Sequence, residues 1–441
     1  MNLPKKKVYK NGATLIYKKR NKNCTSVVAG FVFGRNRDNY PEPTAHFLEH
    51  MFFKATENKN EKELRNAQLN TFSMKNGATS LFYTEIDFCR SNKVLPACFD
   101  LASEMLLKTK FNTKSVNSEK GVIKQELVRK LNNPDMLFWF TNFRTLRNKY
   151  ALNTNVLGSE EEINAMDAKT LKKFRDEVFI SQNFVITIEG GISYNKAKRL
   201  AEKYFINKLN SNPSYSVDQT VTIPIEKKGN LNIEYYNFKK AICRLTILLD
   251  KDEESLKNKK IMNILCKLSN GMTGKVLGRL RDNGLVYSGR MDWATNPQYA
   301  ITVDFSCSSD NVNKCIEEIG KVLNDYRTKL VENDLIEKIK ENAKLSKDER
   351  INQIYPSSLF MNYLYLSKEE MFSKKYQKES KKLFESITAD DIKNFSKTIF
   401  SKPENIYVSI LTEKDKESFY NYQEIQNILI KNKKPRKVVK K

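Results

Sequence analysis

The stretch DAKTLKKFRDEVFISQNFVITIEG, residues 167–190, has a counterpart in TADDIKNFSKTIFSKPENIYVSIL, residues 388–411. Both stretches begin with polar residues, continue into an amphipathic helical pattern, and end in an apolar strand pattern after a short turn that contains asparagine. Four pairs of apolar residues match at one constant offset: Leu171 with Ile392, Phe174 with Phe395, Val178 with Ile399, and Phe179 with Phe400. This offset is half of the chain and far longer than a solenoid repeat, so it indicates two duplicated domains.

The sequence outside these stretches supports a division into halves. The apolar strand patterns CTSVVAGFVFG (24–34) and KAICRLTILLD (240–250) each follow a shorter alternating strand pattern, and long helical patterns come after them. Residues 209–222 are rich in turn-forming residues, which is typical of a linker. We therefore predict an α+β fold of two homologous domains, each a mostly antiparallel sheet packed with helices. The predicted boundaries are 1–208 for the first domain, 209–222 for the linker, 223–430 for the second domain and 431–441 for a basic tail.

Composition argues against several classes of protein. No run of residues approaches the roughly 18 apolar positions of a membrane helix. The N-terminus leads directly into a strand pattern, so we expect neither a signal peptide nor a presequence. The seven cysteines are scattered, odd in number and never spaced as C-x-x-C, so we expect the cytoplasm or another reducing intracellular compartment. The net charge of +25 comes without any nucleic-acid-binding motif, so we expect neither nucleic acid nor membrane as a partner.

Both histidines of the chain lie in HFLEH, residues 46–50, within a segment of helical character for which Thr44 is the expected N-cap. Residues four apart share one face of a helix, so His46 and His50 present their imidazoles to one point, with Glu49 close to the same face. Two imidazoles and a nearby carboxylate that can take a proton from an activated water suit a catalytic zinc site. Because the chain has no third histidine, the third ligand must be Asp, Glu or Cys.

The pattern AHFLEHMFFKAT resembles the insulinase/pitrilysin family of zinc peptidases, which includes the mitochondrial processing peptidase β-subunit and bacterial homologues and has the inverted H-x-x-E-H signature. In that family the third ligand is a glutamate that lies on a later helix, with a second glutamate seven positions before it. The segment SEKGVIKQELVRK supplies Glu119 and Glu126, and the interval from His50 to Glu126 matches the family's interval. The resemblance implies that Glu126 binds the metal with His46 and His50, and that Glu119 supports catalysis beside Glu49.

The segment KNGATSLFYTEI resembles the family's edge strand, to which substrate adds as a further β-strand. Asn76, Thr79 and Thr84 match that strand in step, and Gly77 stands where the family usually has alanine. The resemblance implies that Asn76 and Gly77 bind substrate. The alternative for Asn76-Gly77 is a plain hairpin turn.

In the second half, GMTGKVLGRLRDNGLVYSGRMDW resembles the family segment that brings an arginine and a tyrosine to the substrate. Arg281 and Tyr287 are the candidates, at a spacing one position shorter than usual, and Arg279 is the alternative arginine. A guanidinium and a phenol can both donate hydrogen bonds to a peptide carbonyl. The alternative is a surface arginine and a tyrosine at the edge of the core.

These observations predict a zinc-dependent endopeptidase that hydrolyses short or unfolded peptides, with one Zn²⁺ per chain and Glu49 as general base. The resemblance further implies that the second domain, which lacks a metal site, closes a substrate chamber, and that the chain forms a homodimer or a heterodimer with a related chain. Three alternatives remain open: a catalytically inactive or partner-dependent assembly subunit of the same family, a basic nucleic-acid-binding protein with a structural zinc, and a zinc hydrolase that does not act on peptides.

Overall fold

The computed structural model of the protein describes most of the chain. The described residues are 3–33, 39–72, 74–80, 82–146, 156–212, 229–237, 239–294, 299–350, 356–366, 368–413 and 419–433. The predicted linker lies partly, and the basic tail mostly, outside them. Within these segments every helix is too short or too polar to span a bilayer. All seven cysteines carry free thiols, and five of them are buried.

The described residues form strands and helices in alternating groups. The strands are β1 (Lys5–Val8), β2 (Thr14–Lys19), β3 (Cys24–Val32), β4 (Met74–Thr79), β5 (Tyr83–Ser91), β6 (Phe184–Gly190), β7 (Asn230–Tyr236), β8 (Ala241–Leu248), β9 (Val286–Ala294), β10 (Ala300–Cys307) and β11 (Ile406–Glu413). The helices of the first half are α1 (Thr44–Met51), α2 (Glu61–Thr71), α3 (Leu95–Leu107), α4 (Thr113–Leu131), α5 (Pro134–Leu146), α6 (Glu160–Ala165), α7 (Ala168–Val178) and α8 (Tyr194–Tyr204). Those of the second half are α9 (Leu256–Ser269), α10 (Leu277–Asp282), α11 (Val312–Thr328), α12 (Asn333–Arg350), α13 (Pro356–Tyr365), α14 (Lys368–Phe372), α15 (Lys374–Ser386), α16 (Ala389–Ile399) and α17 (Tyr422–Lys431).

Each half contributes one mostly antiparallel sheet, which confirms the predicted α+β class. The six strands of the first sheet have the order β1-β2-β6-β3-β5-β4, and the five strands of the second have the order β7-β11-β8-β10-β9. In each sheet one pair is parallel, β2 with β6 and β7 with β11, and the other neighbours are antiparallel. Among the described residues the two sheets therefore share one topology, and the edge strand β1 of the first sheet has no counterpart there in the second.

The repeated stretches form equivalent elements in the two sheets. Helices α7 and α16 begin and end at positions that differ by the offset of the sequence repeat, and each leads into the strand of the parallel pair, β6 or β11. Seven matched residues are buried and line the hydrophobic cores of the two sheets: Leu171, Phe174, Val178, Ile392, Phe395, Ile399 and Phe400. The periodicity of apolar residues thus predicted both helices correctly, because each helix has one buried face.

The chain folds into two compact units, and each unit contains a helical segment from the other half of the sequence. The first unit comprises residues 1–129, 153–221 and 353–374, so it includes α13. The second comprises residues 130–152, 222–352 and 375–441, so it includes α5. Phe360 of α13 is buried against Val28, Tyr83 and Val185 of the first sheet. Phe138 of α5 is buried against Ile242 and Leu411 of the second.

This exchange of helices was not part of the boundaries predicted from the sequence. The contiguous ranges 1–208 and 223–430 remain a proposed division of the repeat along the chain. They differ from the compact units because α5 and α13 pack on sheets to which they are not adjacent in sequence.

Candidate metal centre

The histidine pair lies on α1, a short helix held by its apolar side chains. Phe47, Leu48 and Met51 are buried in the core of the first unit, which fixes the opposite face of the helix for His46 and His50. The predicted N-cap was wrong. Thr44 is the first helical residue, and the N-cap is Pro43, which makes no side-chain cap hydrogen bond. The hydroxyl of Thr44 instead donates to the carbonyl oxygen of Pro41 at 2.7 Å.

Helix α4 brings Glu126 to the two imidazoles. Ligand atoms of His46, His50 and Glu126 all lie within 4.8 Å of one another. Glu126 Oε2 is 3.6 Å from His46 Nε2 and 3.5 Å from His50 Nε2. Zinc–ligand bonds of about 2.0–2.2 Å in a tetrahedron separate the ligand atoms by about 3.3–3.6 Å. The two nitrogen–oxygen distances match this spacing, and two imidazoles with one carboxylate are a ligand set that suits zinc.

Glu119, two turns before Glu126 on α4, contacts the other nitrogen of one imidazole. Its Oε2 lies 2.9 Å from His50 Nδ1, and only 3% of its side chain is exposed. Burial would lower the pKa of His50, but hydrogen bonds to Glu119 and Glu126 outweigh burial and raise this pKa to about 9. Since a carboxylate can only accept, His50 Nδ1 donates to Glu119, and this bond directs Nε2 toward Glu126 and a metal.

Glu49 is next to His50 on α1 but is not one of the three candidate ligands. The hydroxyl of Thr79 donates to Glu49 Oε2 at 2.9 Å, and the hydroxyl of Thr84 lies 3.2 Å from that of Thr79. A Cβ atom at Gly77 would lie 2.7 Å from Glu49 Oε1 and 2.9 Å from a ring carbon of Phe53. The absence of a side chain at Gly77 thus lets β4 pass close to the Glu49 carboxylate, which Thr79 holds from the same strand.

Asn76 and Gly77 lie inside β4, where they pair with Asp87 and Ile86 of β5. The hairpin-turn alternative is therefore wrong, since the connection to β5 follows Thr79. Strand β4 lies at the edge of its sheet. Among the residues that the structure describes, it has a hydrogen-bonded neighbour strand, β5, on one side only. Its outer edge can accept a further strand.

Arg281 and Tyr287 contact each other in the second unit. Arg281 Nη1 donates to the carbonyl oxygen of Tyr287 at 3.0 Å, and the guanidinium lies 5.4 Å from the centre of the tyrosine ring. Tyr287 is 84% exposed, so it is not a residue at the edge of the core. The alternative arginine, Arg279, is instead paired with Glu318, with Nε to Oε2 at 2.6 Å. Arg281 is therefore better placed than Arg279 to bind a ligand.

Sequence reasoning missed two buried carboxyl groups on β5. Glu85 and Asp87 alternate with Ile86 and Phe88 along β5, a pattern that predicts a solvent-exposed face. Both are buried, because α13 covers this face of the first sheet. Burial and the charges of Asp87 and Glu49 raise the pKa of Glu85 to about 8, and burial raises the pKa of Asp87 to about 6. Nothing near β5 in the sequence could have revealed this cover.

A third missed residue is Lys54, whose ammonium group forms an ion pair with Glu119. Its position offered a signal, since Lys54 follows His50 at the same interval that separates His46 from His50. On a continued helix this interval would place the ammonium group beside the imidazoles.

Comparisons with known proteins support this fold and show the family. The profile of the insulinase family (peptidase family M16) matches residues 31–171, and the profile described as "Peptidase M16 inactive domain" matches residues 165–343. A Bacillus subtilis protein named "Uncharacterized zinc protease YmxG" is 26% identical over 290 residues, which span 63% of this chain and 67% of that protein. The mitochondrial-processing peptidase subunit beta of Caenorhabditis elegans is 28% identical over 195 residues, 43% of this chain and 41% of that protein.

The fold also occurs among solved structures. The crystal structure of a protease from Helicobacter pylori superposes with a TM-score of 0.77 at 17% identity, covering 93% of this chain and all of that one. Fold and site together define a duplicated α+β protein with an inverted H-x-x-E-H centre in its first half. The chain belongs to the insulinase family, peptidase family M16.

Proposed function

We propose that the protein is a zinc-dependent endopeptidase acting on short or unfolded peptides. The proposal rests chiefly on four side chains. His46, His50 and Glu126 lie close enough together to bind one zinc ion, and Glu49 lies beside them but is not a candidate ligand. A structural zinc site would more often have four protein ligands. Three ligands with a neighbouring carboxylate leave room for water and substrate, as in a catalytic site.

In the proposed hydrolysis, Glu49, Thr79 and Glu119 each have a separate role. A zinc ion at this centre would activate a water molecule and polarise the scissile carbonyl. Glu49 accepts the proton of the attacking water and passes it to the leaving amine. Thr79 holds Glu49 in place by donating a hydrogen bond to Oε2. Glu119 orients His50 through Nδ1.

Substrate binding is proposed to use the outer edge of β4. A peptide that adds to this edge as a strand satisfies its backbone hydrogen bonds regardless of its side chains, which suits extended substrates. Asn76 and Gly77 lie on this strand, shortly before Thr79. The peptide backbone is thereby directed past Glu49. In the second unit, Arg281 and the exposed Tyr287 are proposed as further donors to the peptide.

Association with a second chain is part of the proposal. The C. elegans relative is by its name a subunit, and another solved structure with this fold is titled as a chain of Complex III₂. We propose that this chain works as a homodimer or as a heterodimer with a related chain.

The test is cleavage of an unstructured fluorogenic peptide library by the purified chain, before and after removal of metal by a chelator. We expect cleavage that is lost on chelation and restored by stoichiometric zinc. Peptides with N-methylated backbone amides, matched in sequence to cleaved ones, should be poor substrates because they cannot pair with β4. A protein that binds zinc and cleaves nothing, alone or as an isolated dimer, would contradict the proposal and favour an inactive assembly subunit.

A further inference from the structure

Lys54 lies in the turn that follows α1, close to the candidate metal centre but not among its ligands. Its Nζ forms an ion pair with Oε1 of Glu119 and lies 3.3 Å from Glu61 Oε1 at the start of α2. The Lys54 side chain is 19% exposed and that of Glu61 is 44% exposed, whereas Glu119 is almost fully buried. Lys54 therefore links the end of the histidine helix to α4 and α2.

The two oxygens of Glu119 have separate partners, Oε2 with His50 Nδ1 and Oε1 with Lys54 Nζ. This division fixes the orientation of the carboxylate, because each partner lies on a different element. Without Lys54, the buried Glu119 carboxylate would lose its ammonium partner, which is an unfavourable arrangement.

We propose that Lys54 is a positioning residue of the metal centre. It holds the Glu119 carboxylate aimed at His50 Nδ1, so that His50 Nε2 is fixed toward the metal. With a divalent ion bound, Lys54 also balances the formal charge of the three carboxylates Glu49, Glu119 and Glu126. This inference rests on the zinc site of the proposed function and concerns metal affinity and geometry rather than turnover.

The experiment measures zinc affinity by competition with a chromophoric chelator, together with the visible absorption of the cobalt-substituted protein. Lys54→Met keeps the aliphatic stem of the side chain and removes its charge. If the Lys54→Met protein does not fold, Lys54→Gln replaces it. We expect zinc to bind about 10-fold more weakly, within the roughly 10–100-fold range for loss of a partner that orients a ligand, and the cobalt bands to change. Lys54→Arg keeps the ion pair and should restore near-wild-type affinity.

Lys59→Met is the matched control. Lys59 is 31% exposed and pairs with Glu104 at 2.6 Å, away from the histidines, so its loss should leave zinc affinity and the cobalt spectrum unchanged. A decrease equal to that of Lys54→Met would show a general effect on the protein and overturn the inference.

A double-mutant cycle separates positioning from simple structural support. If Lys54 acts through Glu119, Lys54→Met should weaken zinc binding little or not at all in a Glu119→Gln background. Additive losses, or a Lys54→Met protein that binds zinc as tightly as wild type, would overturn the inference and leave the proposed function intact. A wild-type protein that does not bind zinc would overturn both.

Discussion

Gly77 is the residue at which the backbone of β4 approaches Glu49 most closely. A Cβ atom there would lie 2.7 Å from the Glu49 carboxylate and 2.9 Å from the Phe53 ring, so both side chains, or the strand itself, must shift in Gly77→Ala. We expect kcat/KM for peptide cleavage to fall about 10–100-fold, since a displacement of roughly 1 Å in a catalytic group can have such an effect. Bound zinc should be unchanged, because the three atoms nearest to the added methyl group belong to Glu49 and Phe53, neither of which is a candidate ligand.

Gly121→Ala provides the control for this prediction. Gly121 lies on α4 between the two glutamates, and a Cβ atom there would meet no other atom within 4 Å. We expect unchanged cleavage and a gain in stability of up to about 1 kcal/mol, since alanine favours a helix over glycine. Equal activities of Gly77→Ala and wild type would contradict the close approach of β4 to Glu49.

Glu85 makes the stability of the protein depend on pH. Folded Glu85 keeps its proton up to about pH 8, whereas its ordinary pKa is 4.5, so across this window the folded state binds more protons than the unfolded state. The contribution of Glu85 to stability is therefore present at low pH and lost as pH rises toward about 8. Glu85→Gln cannot ionise, so its stability relative to wild type should rise between about pH 5 and about pH 8.

Urea unfolding of both proteins at several pH values measures this difference. Asp87 and Glu49, the carboxyl groups that face Glu85, are present in both proteins, so the comparison isolates Glu85. A constant difference in the free energy of unfolding across this pH range would contradict the burial of Glu85 under α13.

At the level of elements, the strongest predictions concern the exchanged helices α5 and α13. Phe360 of α13 is fully buried on the first sheet, although the last strand of that sheet ends much earlier in the chain, at Gly190. We expect Phe360→Ala to destabilise the first unit by about 3–5 kcal/mol, as is usual for truncation of a buried phenylalanine. Hydrogen exchange should then accelerate in β3 and β5. Phe138→Ala in α5 should likewise accelerate hydrogen exchange in β8 and β11 of the second unit.

Leu366→Ala, just beyond α13, is the control. Leu366 is 40% exposed, so its truncation should change stability by no more than about 0.5 kcal/mol. Faster exchange in the second sheet, but not in the first, on Phe360→Ala would contradict the assignment of α13 to the first unit.

Some elements could be predicted from the sequence and others could not, for physical reasons. Helices α7 and α16 were found because each has a strongly apolar face, a polar N-cap, Asp167 or Thr388, and a repeat at a fixed offset. The start of α1 was misplaced because Thr44 bonds to the preceding turn instead of capping the helix. The place of α13 depends on contacts with strands that are distant in the sequence, and no local pattern encodes them.

At the level of the whole molecule, the exchange of helices makes each half depend on the other. A fragment of residues 1–208 lacks α13 and would expose the apolar face on which Phe360 packs. We expect this fragment to aggregate or remain partly unfolded alone, and to become soluble when produced together with residues 209–441. The measurement is the yield of monodisperse protein and the cooperativity of its thermal unfolding. A fragment 1–208 that unfolds cooperatively by itself would contradict this dependence.

The candidate ligands of the metal centre could be predicted from the sequence, but the packing that holds those ligands in place could not. The pairing of His46 with His50 follows from helical geometry, whereas the assignment of Glu126 follows from the resemblance to the family. The partners that tune the centre were less accessible. Lys54 acts through an ion pair with Glu119 and Thr79 through a hydrogen bond to Glu49, and both contacts depend on the packing of α4 and β4 around α1. Spacing within the sequence does not fix such packing.

The most direct test of the central claim compares two glutamates that differ in role but not in chemistry. Zinc per chain and peptide cleavage should be measured on the same preparations of wild type, Glu49→Gln and Glu126→Gln. We predict that Glu49→Gln retains one zinc ion and loses cleavage, because glutamine preserves shape but cannot accept the proton, whereas Glu126→Gln loses both. A Glu49→Gln protein that still cleaves, or a Glu126→Gln protein that binds zinc like wild type, would contradict the account.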